Sequence, residues 1–189
     1  MSNNSVSKNG SGKKEVLMAG LGGGGVLMAG ETLLHAAAPE YDYVSYFPSY
    51  GVSMRGGHVE CTVILSDEKI GSPVLPKADV VIIFNNSKLE EFESRVRPGG
   101  VLILESTGLA QEPTRSDIKV IKVPAIETAI SLGDTRASNQ VLLGAYTKVS
   151  GATSAEVIEK MIEKRFKEKK LDKALPLNLE AFRRGLAMA

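Results

Sequence analysis

Residues 15–30 read Glu15-Val16-Leu17-Met18-Ala19-Gly20-Leu21-Gly22-Gly23-Gly24-Gly25-Val26-Leu27-Met28-Ala29-Gly30, and this stretch decides the fold. The short apolar run EVLMAG ends in glycine, the mark of a buried strand feeding a tight turn. From Val26 to Ala38, the residues Leu27, Gly30, Leu33, Leu34 and Ala37 recur at helical spacing, and Pro39 closes the element. Strand, glycine turn and helix in that order make a Rossmann-like first βα unit.

The turn itself matches Gly-x-Gly-x-x-Gly from Gly20 to Gly25, a pattern whose glycines let backbone approach a pyrophosphate at a helix N-terminus. A dinucleotide site also needs an acid at the end of the second strand. That strand ends in Tyr46-Phe47-Pro48-Ser49, with Asp42 at its start instead, which counts against NAD. A nucleotide-hydrolysing P-loop fails as well, because no Lys-Ser or Lys-Thr follows the glycines. Two readings of Gly22, Gly23, Gly24 and Gly25 stay open: a close turn that packs helix on strand, or a contact for an anion or a partner.

Beyond this unit, Asp42 to Phe47 reads as a strand, PSYGVSMRGG (48–57) as a loop, and HVECTVILS (58–66) as the next strand. No helix fits between those strands, so they are expected to run antiparallel; a parallel pair needs a crossover of about a dozen residues. Asp79 to Phe84 is a fully apolar strand. A helix over Ser87 to Val96, a Pro98-Gly99-Gly100 turn, the strand VLILES (101–106) and a strand from Ile118 to Val123 follow. From Ala125 the pattern is helical. Thr153 and Glu156 are spaced as a capping box, Ile158, Met161, Ile162 and Phe166 form one face, and Glu156 with Lys160 and Glu163 with Lys167 suit i,i+4 pairs. A last helix is expected near Asn178, with Leu179, Phe182 and Leu186 inward. The order of elements predicts an α/β chain: a three-layer α/β/α sandwich with a mixed sheet over residues 15–189, behind a disordered N-terminal segment, 1–14.

Composition narrows the function. The chain has 189 residues, a formal charge of +1, 5% aromatic residues and no Trp, which is poor material for a nucleic-acid surface. No apolar run nears the roughly 20 residues that span a bilayer. The polar start MSNNSVSKNGSGKK lacks the apolar segment of a signal peptide, so the cytoplasm is the expected location. Cys61 is the only cysteine, far from the four or so thiolates of an iron–sulfur cluster, and with His35 and His58 it offers no zinc spacing. His58 and Cys61 are three apart on a strand, so they point to opposite faces and make no nucleophile–base pair. His35, beside small residues on the first helix, reads as structural. No serine sits in a Gly-x-Ser-x-Gly elbow, and no paired carboxylates recur with acid–base spacing.

The second unusual segment is Ser49 to Gly57, which gathers Tyr50, Arg55, Gly56 and Gly57 in one loop. Arg55 can fork onto a phosphate or carboxylate, or bind a carbonyl or carboxylate of its own chain. Loops at strand ends line the crevice of an α/β sheet, so the two glycine segments are expected to face one another.

Six segments in this order resemble the gamma subunits of the 2-oxoacid:ferredoxin oxidoreductases. They are AGLGGGGVLMAGETLLHAA (19–37), SYGVSMRGGHVECTVILSDEKIGSP (49–73), KADVVIIFN (77–85), PGG before VLILES (98–106), ETAISLGDTRASNQVLLGA (127–145) and NLEAFRRG (178–185). The resemblance implies a subunit that is non-catalytic alone, assembled with alpha and beta subunits and, in many members, a ferredoxin-like delta subunit. Such a complex decarboxylates a 2-oxoacid, passes electrons to ferredoxin and hands the acyl group to coenzyme A. It implies thiamine pyrophosphate, magnesium and iron–sulfur clusters in the other subunits. It also implies that Gly22 to Gly25, Tyr50, Arg55, Gly56 and Gly57 contact coenzyme A or a subunit. The segment RGGHVECTVILSDEKIGSP looks nearer to 2-oxoglutarate and branched-chain members than to pyruvate members, so 2-oxoglutarate is the expected acid. One departure is Gly24, where the family commonly carries glutamine within Gly-Gly-Gln-Gly; the side-chain amide is lost. The competing reading is a stand-alone nucleotide- or coenzyme-A-binding regulatory module.

Overall fold

Six strands, β1 (Lys14–Leu21), β2 (Tyr43–Tyr50), β3 (His58–Ser66), β4 (Ala78–Ile83), β5 (Val96–Glu105) and β6 (Lys119–Val123), form one sheet in the order β2-β3-β1-β4-β5-β6. The computed structural model describes residues 12–51 and 56–189. β3 runs antiparallel to both β1 and β2, and β1, β4, β5 and β6 pair in parallel, so the sheet is mixed as expected. β1 begins at Lys14, one residue inside the segment expected to be disordered.

The continuous apolar run of β1 follows from burial on both faces. Val16 and Met18 pack toward one side, Leu17 and Ala19 toward the other. On the first side lie α1 (Val26–Ala37), α3 (Ala125–Leu132), α4 (Ser138–Ser150), α5 (Ala155–Glu168) and α6 (Leu175–Ala187), which carry most of the core. The second side is thin. It holds α2 (Leu89–Phe92), whose Leu89 and Phe92 pack on Leu102, Leu104 and Ile83, together with connecting segments. The result is the α/β/α sandwich, with one outer layer much lighter than the other. Among the described residues no helix is long and apolar enough to cross a membrane.

Several local expectations shift. β2 runs on through Pro48, Ser49 and Tyr50, which had read as loop, pairing Tyr50 with Val59. Pro48 is tolerated because β2 is an edge strand with one open hydrogen-bonding side. The helix expected over 87–96 is a single α turn between two 3-10 turns, because Val96 is already committed to β5 opposite Ala78. The Pro98-Gly99-Gly100 turn lies inside β5. Pairing with β4 jumps from Ala78↔Val96 to Val80↔Val101, so residues 97–100 bulge out.

The cap of α5 is Ser154, one residue later than expected, with its hydroxyl accepting from the Val157 amide at 3.3 Å. Thr153 instead donates to the Glu40 carboxylate beyond α1. Glu156 turns to its own amide and the Ser154 hydroxyl, which hold its carboxyl below the ordinary range. Of the two expected α5 pairs, Glu163 meets Lys167 at 3.8 Å, while Lys160 acts on Glu156 only through its charge; a contact outside that expectation runs from Glu159 to Arg183 of α6 at 2.8 Å. α6 starts at Leu175 with Pro176 in its first turn, and Asn178 is buried inside it, donating to the Ala174 carbonyl. Phe182 is buried as expected, while Leu179 and Leu186 are half-buried.

α4 and α6 cross closely through glycine. A Cβ on Gly144 would run into the Phe182 carbonyl, and one on Gly185 into the Val141 carbonyl. At the opposite edge of the sheet from the glycine turn, Arg97 pairs with Glu15 and Asp79 and stitches the starts of β1, β4 and β5 together.

Candidate functional site

The carboxyl ends of β1, β2, β4, β5 and β6 share one edge of the sheet with the start of β3. There the two glycine segments meet through their backbones, as expected. The Gly22 amide donates to the Gly57 carbonyl at 2.9 Å, and the Gly56 amide to the Gly22 carbonyl at 3.5 Å. The Gly24 amide folds back on the Leu21 carbonyl at 3.0 Å, which turns the chain from β1 into α1. Gly25 is the N-cap of α1 in the left-handed region, φ 75. Its carbonyl accepts from the Ala29 amide at 3.0 Å. No side chain caps α1 and no acid sits in its first turn. The positive end of the helix dipole is therefore left uncompensated beside the loop.

Below the loop lies a groove of about 520 Å³, walled by Leu21, Val26, Leu27, Met28 and Val59 with the glycine backbone at its rim. Gly23 and Gly24 are exposed above it. Gly56 and Gly57 lie against the loop at Gly22, through the two backbone bonds given above. Tyr50 closes β2 opposite Val59; its side chain and all of Arg55 lie outside the described residues. The site thus offers backbone amides over an apolar floor, a combination suited to a molecule with an anionic end and an apolar arm, or to a partner chain.

Sequence reading missed Asn139, which enters this site from α4. Its Nδ2 lies 3.4 Å from the Gly25 carbonyl. The signal was present in outline: Asn139-Gln140 is a polar pair at the head of a helix otherwise apolar through Ala145. Both side chains are buried, and neither Asn139 Oδ1 nor the Gln140 amide atoms have a hydrogen-bond partner among the described residues.

The remaining candidates lie apart. His58 stacks on Phe92 with ring centroids 5.4 Å apart, and its nitrogens sit 3.7 Å from Glu60 and 3.8 Å from Glu91. Cys61 faces the other side of β3, under Gly30 of α1, so the two do not meet, as expected. Burial, then the neighbouring Glu31 and Glu60, pushes the Cys61 thiol up to about 12. A buried lone thiol of that kind does not fit an iron–sulfur cluster. Among the described residues no three His, Cys, Asp or Glu side chains are placed to hold a metal ion. His35, expected to be structural, is exposed on the outer side of α1.

Residues 15–188 match the family described as pyruvate ferredoxin/flavodoxin oxidoreductase. The ketoisovalerate oxidoreductase subunit VorA of Methanothermobacter marburgensis is 37% identical over 170 residues, covering 90% of this chain and 35% of the relative. The 2-oxoglutarate:ferredoxin oxidoreductase from Magnetococcus marinus, solved with 2-oxoglutarate, coenzyme A and succinyl-CoA bound, superposes with a TM-score of 0.84 at 26% identity, over 95% of this chain and 31% of that one. The gamma subunit of a keto/oxoacid ferredoxin oxidoreductase from Geobacter sulfurreducens gives 0.76 at 27% identity, over 93% and 98% of the two chains. This chain spans about a third of the length of the first two and nearly all of the third.

Proposed function

The chain belongs to the pyruvate ferredoxin/flavodoxin oxidoreductase family, and on that premise we propose that it works as the gamma subunit of a 2-oxoacid:ferredoxin oxidoreductase. In this reading the complex converts a 2-oxoacid, coenzyme A and oxidised ferredoxin to acyl-coenzyme A, carbon dioxide and reduced ferredoxin. Alpha and beta subunits, with a delta subunit in some assemblies, hold the thiamine pyrophosphate, magnesium and iron–sulfur clusters; these groups supply carbanion stabilisation and electron transfer. The cytoplasm is the proposed site of action. This chain contributes shape and backbone donors on the coenzyme A side.

The observation that carries the proposal is the clasp between Gly22 and Gly57 beside the uncapped N-terminus of α1. Coenzyme A joins phosphates to a flexible pantetheine arm, whose methyl and methylene groups alternate with two amides. Amides at a helix N-terminus suit the phosphates, and the floor of Leu21, Val26 and Val59 suits the arm. Nothing in the site demands an acid or a base. A groove of this kind orients a ligand and excludes water while the bonds are made on a neighbouring chain.

2-Oxoglutarate is the first acid in the proposal. Ketoisovalerate, the acid named for the 37% identical relative, is its rival, and pyruvate is the third. The experiment is reconstitution: this chain and its partner subunits are assayed together and separately for acid- and coenzyme-A-dependent dye reduction. Turnover is expected from the assembly and from no single chain, and the preferred acid is read from kcat/KM. Tight coenzyme A binding by the lone chain, with no effect of partners, would instead make it a stand-alone regulatory module.

A further inference from the structure

We infer that Asn139 is a positioning residue for the glycine loop: carried in on the first turn of α4, its side chain holds Gly25 and with it the leading amides of α1. The inference rests on the functional reading above, in which this loop meets coenzyme A or a partner. It adds the means by which the loop is held.

Gly25 is the N-cap of α1, and a glycine cap has no side chain to satisfy or restrain the helix start. Asn139 supplies a side chain from elsewhere in the fold. Its Nδ2 lies 3.4 Å from the Gly25 carbonyl, the same oxygen that takes the first helical bond from Ala29. A Cβ built on Gly25 would fall 2.5 Å from Asn139 Nδ2 and 2.8 Å from its Cγ. The asparagine amide therefore fills the space a side chain at position 25 would need. Glycine is required there twice over, by φ 75 and by this contact.

The other end of the loop is held differently, by the bond from the Gly22 amide to the Gly57 carbonyl. Gly23 and Gly24 span the gap, exposed, between a backbone anchor and a side-chain anchor. Asn139 is 2% exposed and its Oδ1 accepts nothing among the described residues. Burying an unpaired carbonyl is unfavourable, and an apolar residue of similar shape would avoid it. The donor end is what the apolar residue would lack.

The test uses the full chain, free and in its complex. Asn139→Ala removes the anchor, Asn139→Asp keeps the shape but replaces the donor, and Gly25→Ala displaces an intact Asn139 from the other side. Hydrogen exchange is expected to quicken about tenfold at the amides of Gly22 to Gly30 in any variant that folds, with the strands unchanged. Exchange that is unaltered there, or raised evenly along the chain, overturns the inference. In the complex, the KM for coenzyme A is expected to rise about tenfold, with kcat and the KM for the oxoacid within about twofold. Local quickening with an unchanged KM for coenzyme A would uphold Asn139 as the anchor and sink the coenzyme A reading of the loop.

Discussion

The amide of Gly22 donates to the carbonyl of Gly57 at 2.9 Å, which ties the loop after β1 to the segment before β3. The tie is backbone to backbone, across a gap that no side chain has to bridge. What a substitution adds at the exposed rim, rather than what it removes, should then decide its effect on a ligand.

Gly23 tests this directly, because a Cβ there would meet nothing within 4 Å although φ is 96. Asn and Asp enter positive φ more readily than other side chains, so both strain the backbone alike. Gly23→Asp is expected to raise the KM for coenzyme A about tenfold by repelling phosphate, and Gly23→Asn to stay within about twofold. Equal effects from both would mean that charge at the rim is irrelevant.

The crossing of α4 over α6 should be the fold's least forgiving contact. A methyl on Gly185 is driven into the Val141 carbonyl, a backbone atom that cannot rotate away. Gly185→Ala is expected to destabilise the chain by about 3 kcal/mol, lowering Tm by roughly 6–12 °C, as read by thermal unfolding.

Ser154, not Thr153, caps α5. Ser154→Ala is therefore expected to lose about 1 kcal/mol, a few degrees in Tm. Glu156→Ala should shift the melting temperature less, because that residue stands one place short of the reciprocal position in a capping box.

Stability should also fall in alkali, and Cys61 gives part of the reason. Its thiol is pushed from an ordinary 9.0 up to about 12, chiefly by burial. Below pH 9 both states keep the proton and nothing changes. Above it the unfolded chain ionises while the native chain does not, so stability drops as pH rises through that window. Burial raises Tyr46 and Tyr146 as well, extending the fall from pH 10 upward. Urea unfolding of Cys61→Ala is expected to show a flatter decline between about pH 9 and 10 than the parent chain.

Much of the scaffold was legible in local pattern. EVLMAG ending in glycine gave away β1, Leu33 and Ala37 gave the face of α1, and the missing helix between 47 and 58 foretold the antiparallel pair. The meeting of the glycine segments followed from strand-end geometry. Where the structure departs from local pattern, the competing signals are local too. Thr153 and Ser154 are both good caps, and only the pull of Glu40 on the Thr153 hydroxyl separates them. Ser87 to Val96 has helical composition, yet Val96 pairs with Ala78 and cuts the helix to one turn.

Amino-acid order alone determined the α/β architecture, the glycine turn into α1 and the lack of a nucleophile–base motif, because each is written in neighbouring residues. Tertiary structure alone decided that Asn139 meets Gly25, 114 residues away, and that Gly144 and Gly185 let two helices touch. Periodicity reports which face of an element is buried. It carries no information about which distant backbone that face will press against, and the loop's hold on its conformation depends on that second fact.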